Sequence, residues 1–287
     1  MRISTLSIGD ELICGEVVDT NAARIAAALL ERGLRVRRHV TVGDVEMDIV
    51  AALDELAAQN DALIVTGGLG PTVDDLTAQA AAHATGRRLM INEDAREHIQ
   101  RYLAARGAVP HGAPSDKQAM IPATSVIIPN PTGTASGFHL IHLGCFLFFL
   151  PGVPAEMKPM LEVTVLPFLL ERVAHRKSLL TTCLNVFGLS EPEVDSRLHG
   201  VVPLSPALGM SICVTFPWIR VTLRAEADTE EGARTSLREA ADLVRARLGE
   251  CVFSEGIETM DEALARLFRQ SGQTLALAES CTGGMIS

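Results

Sequence analysis

The sequence predicts an α/β protein, with a three-layer α/β/α domain around a mostly parallel sheet and a smaller α+β domain after it. Strands and helices alternate over the first ~170 residues, which is the order of repeated β-α-β units. From Ser178 the order becomes β-α-β-β-α-β. The chain is 47% hydrophobic but only 4% aromatic, so its cores must be built from Ala, Leu, Val and Ile. Its 287 residues suit two domains and a fragment of a third.

The first part of the N-terminal domain contains three predicted strands, each followed by a helix. Apolar runs predict the strands, and apolar stripes at helical spacing, such as Ile49 and Leu53, predict the helices. Asp44 is well placed to cap the second helix, and Asp74 and Asp75 would begin the third. The expected elements are strand 3–8, helix 21–32, strand 34–42, helix 45–59, strand 62–66 and helix 74–84.

The second part of this domain alternates strands and helices less regularly, but it also ends with a strand followed by a helix. We expect helix 92–106, a longer loop over 107–122, strand 126–128, a turn at 130–134, two further strands and helix 155–172. Glycine and prolines at 150–154 separate the last strand from the last helix. The N-terminal domain is therefore expected to span residues 1–174.

The next domain, expected over residues 177–256, has the split β-α-β order of ferredoxin-like folds, also found in KH-like domains. Its predicted elements are strand 179–187, helix 190–198, strand 209–215, strand 219–227, helix 229–248 and strand 251–254. The pairs Ser190–Glu193 and Asp228–Glu231 have the spacing of helix N-terminal capping boxes. Because helix capping explains these acidic residues without a catalytic role, we interpret this domain as a spacer or a dimerisation module.

The last stretch, residues 259–287, supplies one helix, a predicted strand at 274–278 and a Gly-rich turn. A single helix and strand cannot bury a core, so this segment is interpreted as the start of a further domain.

Composition excludes several classes of protein. The net charge is −10 and the pI is near 5.3, which argues against a nucleic-acid binder. The six cysteines include no C-x-x-C pair, so neither a zinc site nor a disulfide framework is expected. The longest apolar run, 145–150, is too short for a membrane helix, and acidic residues interrupt any N-terminal leader. A cytoplasmic protein is expected.

The most informative segment is a glycine loop, Thr66–Thr77, between an apolar strand and a helix. Glycines let a backbone approach phosphate closely, and free N–H groups at a helix start bind the anion. Two adjacent carboxylates, Asp74 and Asp75, would repel a phosphate unless a divalent cation lay between the carboxylates and the phosphate. The alternative is that Asp74 caps a helix and the glycines only form a turn. The residues of this loop leave both interpretations open.

Two more loops are expected at the same edge of the sheet as the glycine loop. They are the turns at 9–12 and 42–44, and each follows a predicted strand. Ligands of parallel sheets bind at the carboxyl ends of the strands. The pattern therefore predicts one composite site, with Asp10 and Asp44 close to the glycine loop.

Seven motifs in this order resemble the competence/damage-inducible protein A (CinA) family. They are GDELICG (9–15), DTNA (19–22), VGD (42–44), TGGLGPTVDDLT (66–77), KQA (117–119), NPTGTASGF (130–138) and LPGVPAEM (150–157). The resemblance covers nearly the whole chain. It implies a molybdopterin-binding-like fold for the N-terminal domain and hydrolysis of ADP-ribose to AMP and ribose 5-phosphate with a divalent metal (Mg, Mn or Co).

The resemblance also implies roles for individual residues. Asp44 and Asp75 would be catalytic, and with Asp74 they would bind the metal. The residues expected to bind substrate are Asp10, Glu11, Thr66, Gly67, Gly68, Gly70, Thr72, Lys117, Asn130, Gly133, Thr134 and Gly152. For Lys117 the alternative is a solvent-exposed loop lysine that binds no ligand. Glu156 is interpreted as a helix first-turn acid favoured by the helix dipole.

The turn AESCTGG (278–284) resembles the opening of the family's nicotinamide-nucleotide amidase domain, with Ser280 at the nucleophile position. Because a serine needs a neighbouring base, no amidase activity is expected of these 287 residues. The expected partners are a small nucleotide and a second copy in a homodimer, without nucleic acid or membrane. Alternatives are a pterin-nucleotide binder and a regulatory protein that binds a nucleotide without turnover.

Overall fold

The computed structural model describes residues 1–107, 112–173 and 177–285. The chain forms two compact units, Met1–Arg176 and Lys177–Ser287. The predicted domain end at residue 174 and part of the predicted loop 107–122 lie outside the described residues, as do the last two residues. Within the described ranges, no helix has the length and apolar character needed to cross a bilayer.

The first unit contains a six-stranded sheet in the order β2-β1-β3-β8-β7-β6. Strands β2, β1, β3 and β8 run parallel, and β7 and β6 pair antiparallel at one side. A two-stranded antiparallel sheet joins β4 and β5. The strands are β1 Ile3–Ile8, β2 Val36–Val42, β3 Ala62–Thr66, β4 Leu89–Ile91, β5 Met120–Pro122, β6 Val126–Ile128, β7 Gly137–His142 and β8 Cys145–Leu150. The predicted α/β class with a mostly parallel sheet is confirmed.

Helices cover both faces of this sheet, because successive strand residues point to opposite faces. On β3, Val65 packs with α3, α4 and α5, whereas Ile64 packs with α2, α7 and α8. The helices are α1 Asp10–Ile13, α2 Thr20–Leu30, α3 Glu46–Gln59, α4 Thr77–Ala84, α5 Glu93–Ala104, α6 Gly112–Ala119, α7 Pro154–Met160 and α8 Leu166–Glu171, with a π-helical turn Leu161–Val165 between the last two.

Three local predictions in this unit are wrong. Asp44 does not cap α3, which begins after Val45 without a side-chain cap, because the Asp44 carboxylate is bonded to Asp10. Helix α4 begins at Thr77, so Asp74 and Asp75 lie in the preceding turn. The predicted loop 107–122 contains α6 and β5, since β5 finds a partner in β4.

The second unit is a four-stranded antiparallel sheet in the order β10-β11-β9-β12, which is the ferredoxin-like order. Its elements are β9 Ser178–Val186, α9 Glu191–Leu198, β10 Leu208–Thr215, β11 Trp218–Ala227, α10 Glu230–Leu248, a 3-10 turn Gly249–Cys251, β12 Val252–Glu255 and α11 Met260–Ser271. Leu184, Val221 and Val244 are among the residues that fill its core. The predicted α+β domain is confirmed.

Helix capping in this unit agrees with one prediction and corrects another. Ser190 and Glu193 form the expected capping box on α9. On α10 the cap is Thr229, whose hydroxyl accepts from the N–H of Gly232, and not the predicted pair Asp228 and Glu231. The strand predicted at 274–278 is wrong, because among described residues up to 285 no strand follows α11.

Candidate functional site

The parallel strands of the first unit end at one edge of the sheet, and a cavity of about 490 Å³ lies there. Gly9 follows β1, Asp44 follows β2, Gly67 follows β3 and Gly152 follows β8; all four line the cavity. Segments far apart in the chain therefore meet because parallel strands bring their carboxyl ends together. The cavity belongs to the first unit alone.

Two of the acidic loops are held together by a reciprocal pair of hydrogen bonds. The Asp10 N–H donates to Asp44 Oδ2 at 2.8 Å, and the Asp44 N–H donates to Asp10 Oδ1 at 3.0 Å. Each carboxylate therefore fixes the backbone of the other loop. Burial raises the pKa of the Asp44 carboxyl, and the negative charges of Asp10, Glu11 and Asp74 raise it further. Negative charge is thus concentrated at the ends of β1 and β2.

The glycine loop begins with a close contact between three strands. Gly67 has φ +105°, its N–H donates to Leu150 O at 3.1 Å, and its Cα lies against Ile8 O. Gly68 also has a positive φ, of +63°. The Thr77 hydroxyl, at the start of α4, donates to Gly67 O at 2.8 Å. A Cβ at Gly67 would meet Ile8 O, and a Cβ at Gly68 would meet the Thr77 hydroxyl. The turn therefore requires glycine at both positions.

Asp75 folds back onto this loop. Its Oδ1 accepts from the Gly70 N–H at 2.7 Å, and its Oδ2 accepts from the Thr72 N–H at 2.8 Å and from the Thr72 hydroxyl. The carboxylate therefore satisfies N–H groups that could otherwise bind an anion. In this arrangement Asp75 organises the loop while also lining the cavity.

Asp74 and Lys117 belong to the surroundings of the same turn, and Asp74 also lines the cavity. Lys117 Nζ donates to Thr72 O. Asp74 is exposed, and the polar surroundings of its carboxyl, namely the neighbouring Thr72 hydroxyl, its own backbone N–H and the charge of Lys117, lower its pKa. The Thr72 hydroxyl proton itself is donated to Asp75. The Lys117 ammonium group is therefore bound to the turn, and its charge acts on Asp74.

The opposite wall is formed by the turn after β6 and the start of α7. Asn130 is fully buried and donates to Ala135 O at 2.9 Å and to Glu156 Oε2 at 2.6 Å. Its Oδ1 accepts from the N–H groups of Thr132 and Gly133. Asn130 therefore holds the turn in shape and is not among the residues that line the cavity.

The sequence-predicted site residues fall into two groups. Those that line the main cavity are Glu11, Asp44, Gly67, Gly68, Gly70, Asp74, Asp75, Thr134 and Gly152. Those that do not are Asp10, Thr66, Thr72, Lys117, Asn130 and Gly133. Asp10, Thr72 and Lys117 instead contact residues of the lining or its loop, Thr66 is buried at the end of β3, and Gly133 lies against the Glu156 carboxylate.

Two polar residues of the cavity lining were not expected there from the sequence. Glu156 lines the cavity and bonds Asn130, although its position fitted a helix first-turn acid. Gln118, in α6, also lines it. The signal for Glu156 was its place in the first turn of α7, the helix that follows β8, a fourth strand ending at the shared edge.

We expect Asp75→Asn to loosen the glycine loop. Asparagine offers one oxygen acceptor, whereas Asp75 uses two, so either the Gly70 or the Thr72 N–H loses its partner. The free energy of unfolding should fall by about 1 kcal/mol or more, measured by urea denaturation. The control is Glu97→Gln, which removes a charge from an exposed position in the middle of α5. Equal stability of the two variants would contradict the role of Asp75 in holding the glycine loop.

Comparison with known proteins gives a consistent result. Residues 4–171 match the family described as probable molybdopterin binding domain, and residues 257–287 match the CinA C-terminal domain. The chain is 55% identical to a CinA-like protein of Geobacter sulfurreducens and 52% identical to one of Geotalea uraniireducens. Each alignment covers the whole chain and 69% or 68% of the relative, respectively.

A solved structure also resembles the chain. It is the crystal structure of the protein CinA, of unknown function, from Thermoplasma acidophilum, with 35% sequence identity and a TM-score of 0.54. The match covers 58% of this chain and 96% of that one.

Proposed function

Because this chain belongs to the family of CinA-like proteins, we propose that its N-terminal unit is a metal-dependent nucleotide pyrophosphatase that hydrolyses ADP-ribose to AMP and ribose 5-phosphate. The observation that carries the proposal is the acidic cavity at the carboxyl edge of the sheet. Five carboxylates from four separate segments of the chain line it: Glu11, Asp44, Asp74, Asp75 and Glu156. A diphosphate could approach such a surface only with its charge compensated.

The donor set of the cavity fits a divalent cation that is shared with the substrate. Within the described parts of the chain, no three His, Cys, Asp or Glu side chains come together closely enough to hold a metal by themselves. Mg²⁺ is commonly bound by one or two carboxylates together with substrate phosphates. Asp44 and Asp74 are the carboxylates we assign to the cation, with Asp75 joining if it leaves the glycine loop. When bound, the cation would neutralise phosphate charge and polarise the scissile P–O bond.

The residues of the chain would do the remaining work. Asp44, whose pKa is raised by burial and by the neighbouring negative charges, although the Asp10 N–H bond lowers it, is suited to accept a proton from the attacking water. Attack of the water on one phosphorus breaks the P–O–P bridge. The oxygen of the water stays on the attacked phosphate, and the bridging oxygen leaves with the other phosphate. The glycine loop would keep the diphosphate close to Asp44, because its backbone carries no side chains that would hold the phosphate away.

A pterin nucleotide is a second candidate ligand. The observation that favours it is the match of residues 4–171 to a family described as a probable molybdopterin binding domain. The cavity and glycine loop would serve either ligand. Pterin binding without hydrolysis predicts no AMP from ADP-ribose, and a purely regulatory nucleotide binder predicts binding without metal-dependent turnover.

The proposal is tested by incubating the purified protein with ADP-ribose and Mg²⁺, Mn²⁺ or Co²⁺, and measuring AMP and ribose 5-phosphate. We expect equal amounts of the two products and a loss of turnover when EDTA removes the cation. ADP-ribose that stays intact with every metal, while a pterin nucleotide binds, would support the second candidate instead.

A further inference from the structure

A second, smaller cavity of about 90 Å³ adjoins the main one in the N-terminal unit. The two cavities share Glu11, Gly67 and Gly152 in their linings. The smaller one is closed on its other side by the segment between α1 and α2 and by the first turn of α2. A ligand in the main cavity could therefore extend one part of itself into the smaller cavity.

Asn21, which lines the smaller cavity, carries an unpaired acceptor. Its side chain is 7% exposed, and its Nδ2 donates to Gly152 O at 2.6 Å. Because a carbonyl oxygen can only accept, the amide nitrogen must face Gly152 and Oδ1 must face away from it. Oδ1 is buried and has no hydrogen-bond partner among the described residues. A buried acceptor without a partner is costly in free energy, and a ligand donor would remove that cost.

The chemistry of the smaller cavity selects hydroxyl groups over phosphate. Asn21 Oδ1 and the Glu11 carboxylate are acceptors, and the described lining includes no Lys, Arg or His. One of the two Asn21 amide N–H groups is donated to Gly152. The lining also includes the neutral side chains of Thr20 and Thr66, and it offers no cation to a phosphate. A sugar hydroxyl can turn its O–H toward either acceptor. Val17 and Val18, which are 53% and 80% exposed, provide apolar contact for the C–H face of a sugar.

We propose that the smaller cavity binds the ribose of the ribose 5-phosphate half of the substrate, and that Asn21 Oδ1 and Glu11 accept hydrogen bonds from two neighbouring hydroxyls. Carboxylates are used in this way for ribose hydroxyls in nucleotide-binding sites. The inference rests on the proposed function, because that function gives the substrate a second sugar. The larger cavity then holds the AMP half, and the scissile bridge lies near Gly67 and Gly152, where the cavities meet.

The experiment measures binding and needs no turnover. Ribose 5-phosphate, 2-deoxyribose 5-phosphate and AMP are titrated into the wild-type protein and into Asn21→Leu by calorimetry, with the same divalent cation throughout. We expect the wild type to bind ribose 5-phosphate about tenfold more tightly than its 2-deoxy analogue. Asn21→Leu should lose this preference and keep its AMP affinity within about twofold.

Two further variants separate recognition from structure. Asn60→Ala removes another buried amide of the same unit, one that bonds Ser4 and Leu56, and should keep the preference for ribose. Val18→Phe leaves the Asn21–Gly152 bond in place and adds bulk at the rim of the smaller cavity, so it should weaken ribose 5-phosphate binding and spare AMP. This variant also tests the proposal if Asn21→Leu does not fold.

The proposal is overturned if the wild type binds the two sugar phosphates equally, or if Asn21→Leu weakens AMP as much as ribose 5-phosphate. The second result would mean that Asn21 only positions Gly152. A preference for ribose 5-phosphate that depends on Asn21, in a protein that leaves ADP-ribose intact, would support the cavity assignment and refute the pyrophosphatase.

Discussion

Asp44→Asn is expected to lower metal-dependent turnover of ADP-ribose by roughly 100-fold or more, the scale of a lost general base. Asparagine has the shape of aspartate, but it lacks the negative charge that binds a cation strongly and cannot accept a proton from water. Its amide oxygen can still accept from the Asp10 N–H, so the two loops stay together. AMP release is measured at limiting and at saturating metal. The control is Asp48→Asn on the exposed side of α3, which should retain wild-type turnover.

The same substitution should stabilise the fold at neutral pH. A carboxyl whose pKa is raised on folding favours the protonated state, so its contribution to stability is full below its unfolded pKa of about 3.9 and is lost as the pH rises through the raised value. Near pH 7 the ionised Asp44 therefore destabilises the protein against Asp10, Glu11 and Asp74. The melting temperature of Asp44→Asn should exceed that of wild type at pH 7, and the difference should shrink toward pH 4.

Full activity of Asp44→Asn at limiting metal would remove Asp44 from the mechanism. A melting temperature below that of wild type at pH 7 would contradict the electrostatic account, because it would mean that the Asp44 carboxylate contributes more by bonding than it costs by repulsion.

Gly67→Ala is expected to have the largest effect on stability, a loss of roughly 3 kcal/mol. At φ +105° an alanine is strained, and its Cβ would clash with the backbone oxygen of Ile8. The Ile8 oxygen belongs to β1, and the Gly67 N–H is bonded to Leu150 at the end of β8. Because Gly67 is held between two strands of the sheet, neither strand can move aside easily. The free energy of unfolding, from urea titration of both proteins, measures the effect.

Gly86→Ala provides a matched control for that variant. Gly86 has φ +62°, but a Cβ there would meet no atom within 4 Å. It should cost only the backbone strain, about 1 kcal/mol. If the two alanine variants are equally stable, the close approach of Gly67 to β1 does not constrain the site.

Much of this fold could be predicted because it depends on local patterns. The apolar run of β3 and the stripe Ile49 and Leu53 of α3 have the periods of a strand and a helix, and those periods survive in the structure. The segment 107–122 was misjudged, because β5 has only three residues and exists through pairing with β4. Short strands of that kind carry too few residues to show a period.

The family and the place of the candidate site were also determined by the sequence. Motifs at the ends of β1, β2 and β3 identify a CinA-like protein, and parallel strands that share a sheet must end at one edge. Asp10 and Asp44 were therefore expected together without any knowledge of side-chain contacts.

Only the tertiary structure decided what each polar side chain does at that edge. Asp75 bonds its own loop, Asp44 bonds Asp10 and not the start of α3, and Asn130 is buried beneath its turn. Glu156 reaches Asn130 across a separation of 26 residues. The reason is physical: strand and helix periods fix the face on which a residue lies, but a hydrogen bond requires two atoms within about 3 Å, and that distance is set by how distant segments pack.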